Sequence, residues 1–207
     1  MSSRLSVFGA RVCRPLGVGL LSLTVATIAV TGAAASLTVT TVHLYTPYNG
    51  VGLAKGVRIS KTVRGYCWTS SLSDARSDAF RCFVGNYIHD PCFANTPLSA
   101  TAVVCPTAWP GTPVVRIRLT KPLPPNPATG DPTRRPPWAI QLANGRWCLF
   151  LDGATSVVAG MRINYGCVGG KVLLGIPRRS SPMWTIFFAG GFNATQYQAV
   201  RIRSAWW

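Results

Sequence analysis

Trp138-Ala139-Ile140-Gln141-Leu142 and Arg146-Trp147-Cys148-Leu149-Phe150-Leu151 stand on either side of Ala143-Asn144-Gly145. The flanks are rich in aromatic and branched residues, which fit a pleated strand. Asn and Gly tolerate the left-handed backbone that a tight reversal needs. The stretch therefore predicts a β-hairpin. Two similar units follow. Met161–Tyr165 and Val172–Ile176 flank a loop containing Gly169-Gly170. Met183–Phe188 and Tyr197–Ser204 flank Gly190-Gly191. Turns about every 8–12 residues make this region a β-meander, the pattern of an antiparallel sandwich or barrel. No window outside the amino-terminal segment sustains apolar spacing at i, i+3, i+4 and i+7, so the fold class is mainly β.

Upstream of the hairpin the composition changes. Residues 106–137 hold ten of the sixteen prolines. Val114-Val115-Arg116-Ile117-Arg118-Leu119 predicts one strand within them. Lys121–Pro137 then predicts a long extended loop, because proline at this density removes ladder donors. It reads as a surface connection between two halves of one domain, or as a docking arm through Arg134-Arg135.

The amino terminus reads as an export segment. Arg4, Arg11 and Arg14 precede an apolar run, and Ala33-Ala34-Ala35 fits an Ala-x-Ala cut after Ala35. Residues 1–35 are thus a signal peptide or, if uncut, a membrane anchor. The uncharged apolar stretch reaches about Val42, 27 residues from Leu16, enough for a helix to cross a bilayer. Leu37–Val42 is rich in β-branched residues and reads better as a first strand. Cys13 lies before the apolar core, in the wrong place for lipid acylation. Both readings put residues 36–207 outside the cytoplasm as a single β-rich domain.

That domain has 172 residues, enough to bury a core unaided. Its six cysteines are Cys67, Cys82, Cys92, Cys105, Cys148 and Cys167. Export makes them disulfide partners, with 15 conceivable pairings. Cys148 lies on a predicted strand and Cys167 just beyond the next one, which favours that pair. The other four fall close together, as Cys67–Cys82 with Cys92–Cys105 or a crossed version. There is no Cys-x-x-Cys and there are two histidines, so neither a metal site nor a cofactor is expected.

The domain carries 18 basic residues against five aspartates and no glutamate, a formal charge of +13. Such an excess attracts anions or simply solubilises. For an exported chain the anions are lipid headgroups, wall polymers or acidic protein partners; location argues against nucleic acid. Val115-Arg116-Ile117-Arg118 recurs as Val200-Arg201-Ile202-Arg203. Alternation sends valine and isoleucine inward and both arginines outward. If the two strands are neighbours, Arg116, Arg118, Arg201 and Arg203 form one anion-binding face. If they are apart, each is an ordinary amphipathic strand.

Catalytic patterns are thin. His89-Asp90 is the one His–Asp neighbour pair, and a secreted hydrolase would need Ser70 or Ser71 as nucleophile. No Gly-x-Ser-x-Gly elbow exists, and Asp90-Pro91 reads as a turn. Trp68 and Trp147 each adjoin a cysteine and are expected to pack on disulfides. Trp206-Trp207 either folds back into the core or offers a contact to a partner or membrane.

Gly65-Tyr66-Cys67-Trp68-Thr69-Ser70-Ser71, Arg76–Cys82 and Gly85–Phe93 together resemble a run found in exported actinobacterial proteins without an assigned activity. The resemblance implies an envelope or secreted protein and no particular chemistry. Gly145–Gly153 with Gly160–Cys167 is similar to one repeat of a ricin-type β-trefoil lectin, which implies a carbohydrate-binding module. The terminal Gln-x-Trp and three clear repeats are missing. The reading that emerges is an exported, disulfide-stapled β domain, a binding module more than an enzyme, with a basic surface for an anionic partner.

Overall fold

A computed structural model describes residues 38–207 except 51, 96–99, 129–130 and 154. The predicted export segment, its cut after Ala35 and Cys13 lie outside the described residues. The described chain is mainly β, as the hairpin pattern requires. It takes the form of two small barrels.

Three short strands come first: β1 (Thr41–His43), β2 (Tyr48–Asn49) and β3 (Gly52–Leu53). Barrel 1 follows, with β4 (Ile59–Ser70), β5 (Ala79–Val84), β6 (Tyr87–Phe93), β7 (Ala102–Pro106) and β8 (Val114–Leu119). Consecutive strands pair antiparallel, and β8 closes on β4 in parallel. Barrel 2 comprises β9 (Ala139–Leu142), β10 (Trp147–Phe150), β12 (Met161–Cys167), β13 (Lys171–Arg178), β14 (Thr185–Ala189) and β15 (Tyr197–Trp206). It closes antiparallel between β15 and β9. The short β11 (Val157–Val158) pairs with β12.

The predicted hairpins build barrel 2. Gly145 takes φ +83° in the β9–β10 turn, a conformation glycine adopts freely. Leu142, Ile140, Leu173, Ile186 and Ile202 point inward and are buried together with Tyr165 and Trp207. The carboxy-terminal tryptophans therefore fold back. Trp207 is fully buried, and its Nε1 donates to the Arg135 carbonyl at 2.9 Å. Trp206 stacks on His43.

Barrel 1 has a core of Phe80, Val103, Val115, Ile117 and its four cysteines. Gly65 lets β4 approach β5, since a Cβ there would sit 2.2 Å from the Phe83 carbonyl oxygen. Asp90-Pro91 is not a turn but part of β6. The β5–β6 register breaks between Phe80 and Cys82, so the two residues fall at a bulge where a ladder donor is not required.

Disulfides join Cys67 to Cys82 (β4–β5), Cys92 to Cys105 (β6–β7) and Cys148 to Cys167 (β10–β12), which is the uncrossed arrangement. Three such bonds point to an oxidising, extracytoplasmic environment. Trp68 and Trp147 do not rest on them. Neighbours in a strand face opposite ways, so Trp68 stacks on Phe83, and Trp147 stacks on Trp109 and meets Trp206 at a tilt.

The apolar stretch that was expected to run to Val42 ends inside the domain. Thr40 is buried; its hydroxyl donates to the Ile202 carbonyl at 2.7 Å and accepts from the Trp184 amide at 2.9 Å. Thr41–His43 then pairs with Ser204–Trp206. The proline-rich connection acts as a strap. Asn126 Nδ2 donates to the carbonyls of Arg76 and Ala79 in barrel 1. At its other end Arg179 donates to the carbonyls of Thr133 and Arg135. Backbone acceptors next to Arg134-Arg135 are thus used within the chain.

Candidate functional site

Arg116 and Arg118 project outward from β8, and Arg201 and Arg203 outward from β15, because Val115, Ile117 and Ile202 are core residues. The four do not share one sheet. β8 lies between β7 and β4 in barrel 1, and β15 joins β14, β9 and β1 in barrel 2. Each pair has found other cationic company. On barrel 1, Arg64 stands in register with Arg118, and Thr62 with Arg116. Thr62, Val63, Arg64 and Arg118 line one shallow depression. On barrel 2, Arg178 and Arg201 both face Thr185 from opposite sides, and Arg178 lies 4.1 Å above the Phe187 ring.

The barrel 1 face is the more concentrated. Lys121 lies 4.3 Å above the Tyr66 ring, on the same strand as Arg64. Tyr48, from the β2–β3 ribbon, sits near Arg116; burial raises its phenol pKa and the guanidinium pulls it back. Among the described residues no carboxylate lies within ion-pair distance of Arg64, Arg116, Arg118 or Lys121. The carboxylates within that range of a cation serve Arg76 and Arg81 instead. Arg76 holds Asp74 at 3.2 Å and Asp78 at 3.6 Å, and Arg81 faces Asp90 at 3.8 Å. Arg64 and Lys121 were missed from sequence. The alternation Thr62-Val63-Arg64-Gly65-Tyr66 carried the signal for an outward Arg64, but only the barrel closure makes it a neighbour of Arg118.

A second polar cluster lies where the barrels meet. Asp90 Oδ1 accepts from the Ser73 hydroxyl at 3.0 Å and from the Ser71 hydroxyl, and Oδ2 accepts from the Leu72 amide at 3.0 Å. Burial raises the Asp90 pKa, and these donors oppose the rise. Arg81 donates to the Asp152 carbonyl at 2.5 Å, across from barrel 1 to the loop after β10. Burial, then the charge of Asp90, pushes the Asp152 carboxyl up to about 8, against the pull of Arg81. Asp90 has the donors and Asp152 Oδ1 has none among the described residues, so the proton of this pair resides on Asp152.

The same cluster accounts for Ser71. Its hydroxyl donates to Asp90 and accepts from the amides of Ser73 and Asp74. Its capacity is spent on organising the β4–β5 loop, and Asp90 rather than His89 is its partner. Among the described residues no three metal-ligating side chains come together. The barrels have five and six strands and show no threefold repeat of the β-trefoil kind among the described residues. No family model, no curated protein and no solved structure matches the chain.

Proposed function

We propose that the protein is a binding module of the cell envelope, secreted or held at the outer face of the membrane, that engages an anionic wall polymer through the outer face of barrel 1. Actinobacterial origin belongs to this reading through the Gly65–Phe93 resemblance. The observation that carries it is the Arg64–Arg118 register pair. Like charges side by side on adjacent strands destabilise a sheet. They nonetheless stand exposed and, among the described residues, without a carboxylate, while Asp74 and Asp90 pair with Arg76 and Arg81. A polymer bearing repeated phosphates or carboxylates relieves that repulsion and releases counterions as it binds.

The test measures binding to soluble polyphosphate and polygalacturonate, with phosphatidylglycerol vesicles and an acidic peptide as rivals. Binding to a polymer should weaken steeply with salt and vanish above about 0.5 M, where screening reaches only a few ångströms. The Arg64→Ala/Arg118→Ala variant should lose tenfold or more, and Arg201→Ala/Arg203→Ala much less. Equal losses in both variants, or a preference for vesicles or peptide over either polymer, would overturn the assignment.

A further inference from the structure

A closed meander with five strands has one consequence for its ends. Strands alternate in direction, so the starts of β4, β6 and β8 and the ends of β5 and β7 gather at one mouth. A cavity of about 590 Å³ lies there, within the ~300–1,000 Å³ range of small-molecule sites, which often occupy barrel mouths and domain junctions. All five strands contribute to it. Its floor is apolar: Val63, Val84 and Val115 belong to or pack on the barrel 1 core. Barrel 2 supplies the facing wall, with Leu149 and Phe150 beside Trp138.

Polar groups are few. Lys61 and His89 stand at the rim. Burial, then the neighbouring charge of Lys61, lowers the His89 pKa. Asp90 also borders the cavity, but its side chain is wholly buried and both its oxygens are held by the Ser71–Ser73 loop. Lys61 has no carboxylate within ion-pair distance among the described residues. At the tip of the β5–β6 hairpin, beside the opening, Tyr87 is 77% and Ile88 47% exposed. Apolar side chains at an opening that leads to an apolar floor are the surface that an apolar chain would cross on entry.

We infer that this mouth is a binding site for a single-chain amphiphile with a carboxylate head, the chain lying on Val63, Val84 and Val115 and the head on Lys61 and His89. The site adjoins the Arg64–Arg118 face at Val63, but Arg64 and Arg118 do not line it. Lys61 supplies the fixed charge, and neutral His89 supplies a ring N–H.

The probes are dodecanoate and dodecyltrimethylammonium, both below their micellar concentrations, titrated calorimetrically into the whole protein. Dodecanoate should bind one to one, and the ammonium amphiphile at least tenfold more weakly. Lys61→Glu, at an exposed position, should weaken dodecanoate tenfold or more with an unchanged melting midpoint. Val63→Phe, which fills the floor, should also weaken it, while Arg64→Ala/Arg118→Ala should leave it unaltered. Absence of saturable dodecanoate binding, equal binding of the two amphiphiles, or indifference to Lys61→Glu would each overturn the inference. Loss of polymer binding with dodecanoate binding retained would strike only the barrel 1 face.

Discussion

Barrel 1 closes five strands through a parallel seam between β4 and β8, whereas barrel 2 closes six with every seam antiparallel. An odd closed meander must bring its first and last strands together running the same way. That seam sets Arg64 against Arg118. The barrels also differ in filling. Barrel 2 is packed with Trp207, Tyr165 and branched aliphatics. Barrel 1 fills much of its smaller interior with four cysteines and carries two of the three disulfides. Cross-links take over in barrel 1 part of the role that apolar volume plays in barrel 2.

Removing the cross-links gives the largest expected effect. Each closes a loop of 13–19 residues, worth about 3 kcal/mol through restriction of the unfolded chain. Replacing Cys67, Cys82, Cys92 and Cys105 by alanine should cost barrel 1 about 6 kcal/mol, enough to unfold it within a marginally stable domain. Replacing Cys148 and Cys167 should cost about 3 kcal/mol and leave barrel 2 folded. Hydrogen exchange resolved by segment reads the difference. Uniform loss of protection in both barrels in the first variant would mean that they do not differ in this way.

The next effect tests the other side of the comparison. Trp207→Ala removes the largest buried side chain of the barrel 2 core and the bond to Arg135. It should cost about 3–5 kcal/mol, the usual range for a buried aromatic. Trp68→Ala, at a site 36% exposed on the outside of barrel 1, should cost no more than about 1 kcal/mol. Denaturant midpoints of the two variants check the contrast. Similar values would show that outer-face stacking on Phe83 matters as much as the barrel 2 core.

Legibility in the sequence followed the same division. Barrel 2 could be read strand by strand, because its turns are marked by Asn144-Gly145, Gly169-Gly170 and Gly190-Gly191. In barrel 1 only β8 stood out. Gly65 interrupts β4, Pro91 lies within β6 and Pro106 ends β7, and such residues argue against strands unless a bulge or close approach needs them. The site shared this limit. Alternation alone showed that Arg116, Arg118, Arg201 and Arg203 face outward. Which cations stand beside them depends on closure between strands far apart in the chain, as Ile59 and Val114 are, and no local pattern encodes that pairing.

The smallest expected effect concerns the junction that joins the two barrels. Asp152 has a folded pKa of about 8, against about 3.9 for an unfolded aspartate. The folded state therefore binds its proton more tightly than the unfolded state does. The sign follows from linkage: stability is highest below about pH 4 with respect to this group, falls as pH rises, and reaches its floor above about pH 8. Asp90 and Asp74, both raised by burial, act in the same direction. His89 opposes them, because its lowered pKa removes stability as pH falls through the histidine range. Between pH 7 and 9 His89 is mostly neutral in both states, so the carboxyl contribution dominates. Raising the pH across that window should lower the melting midpoint by about 2–4 °C, the response of a domain of this size to roughly 1 kcal/mol. Asp152→Asn keeps a neutral group at the junction without the cost of protonating it, so it should abolish that slope and raise the midpoint at pH 6, where the wild type has already lost part of its low-pH stability. If the slope persists in the variant, the proton resides elsewhere and Arg81 meets an ionised Asp152. The barrels would then be joined by an ion pair at their interface, in place of the neutral carboxyl and the Arg81–carbonyl bond described above.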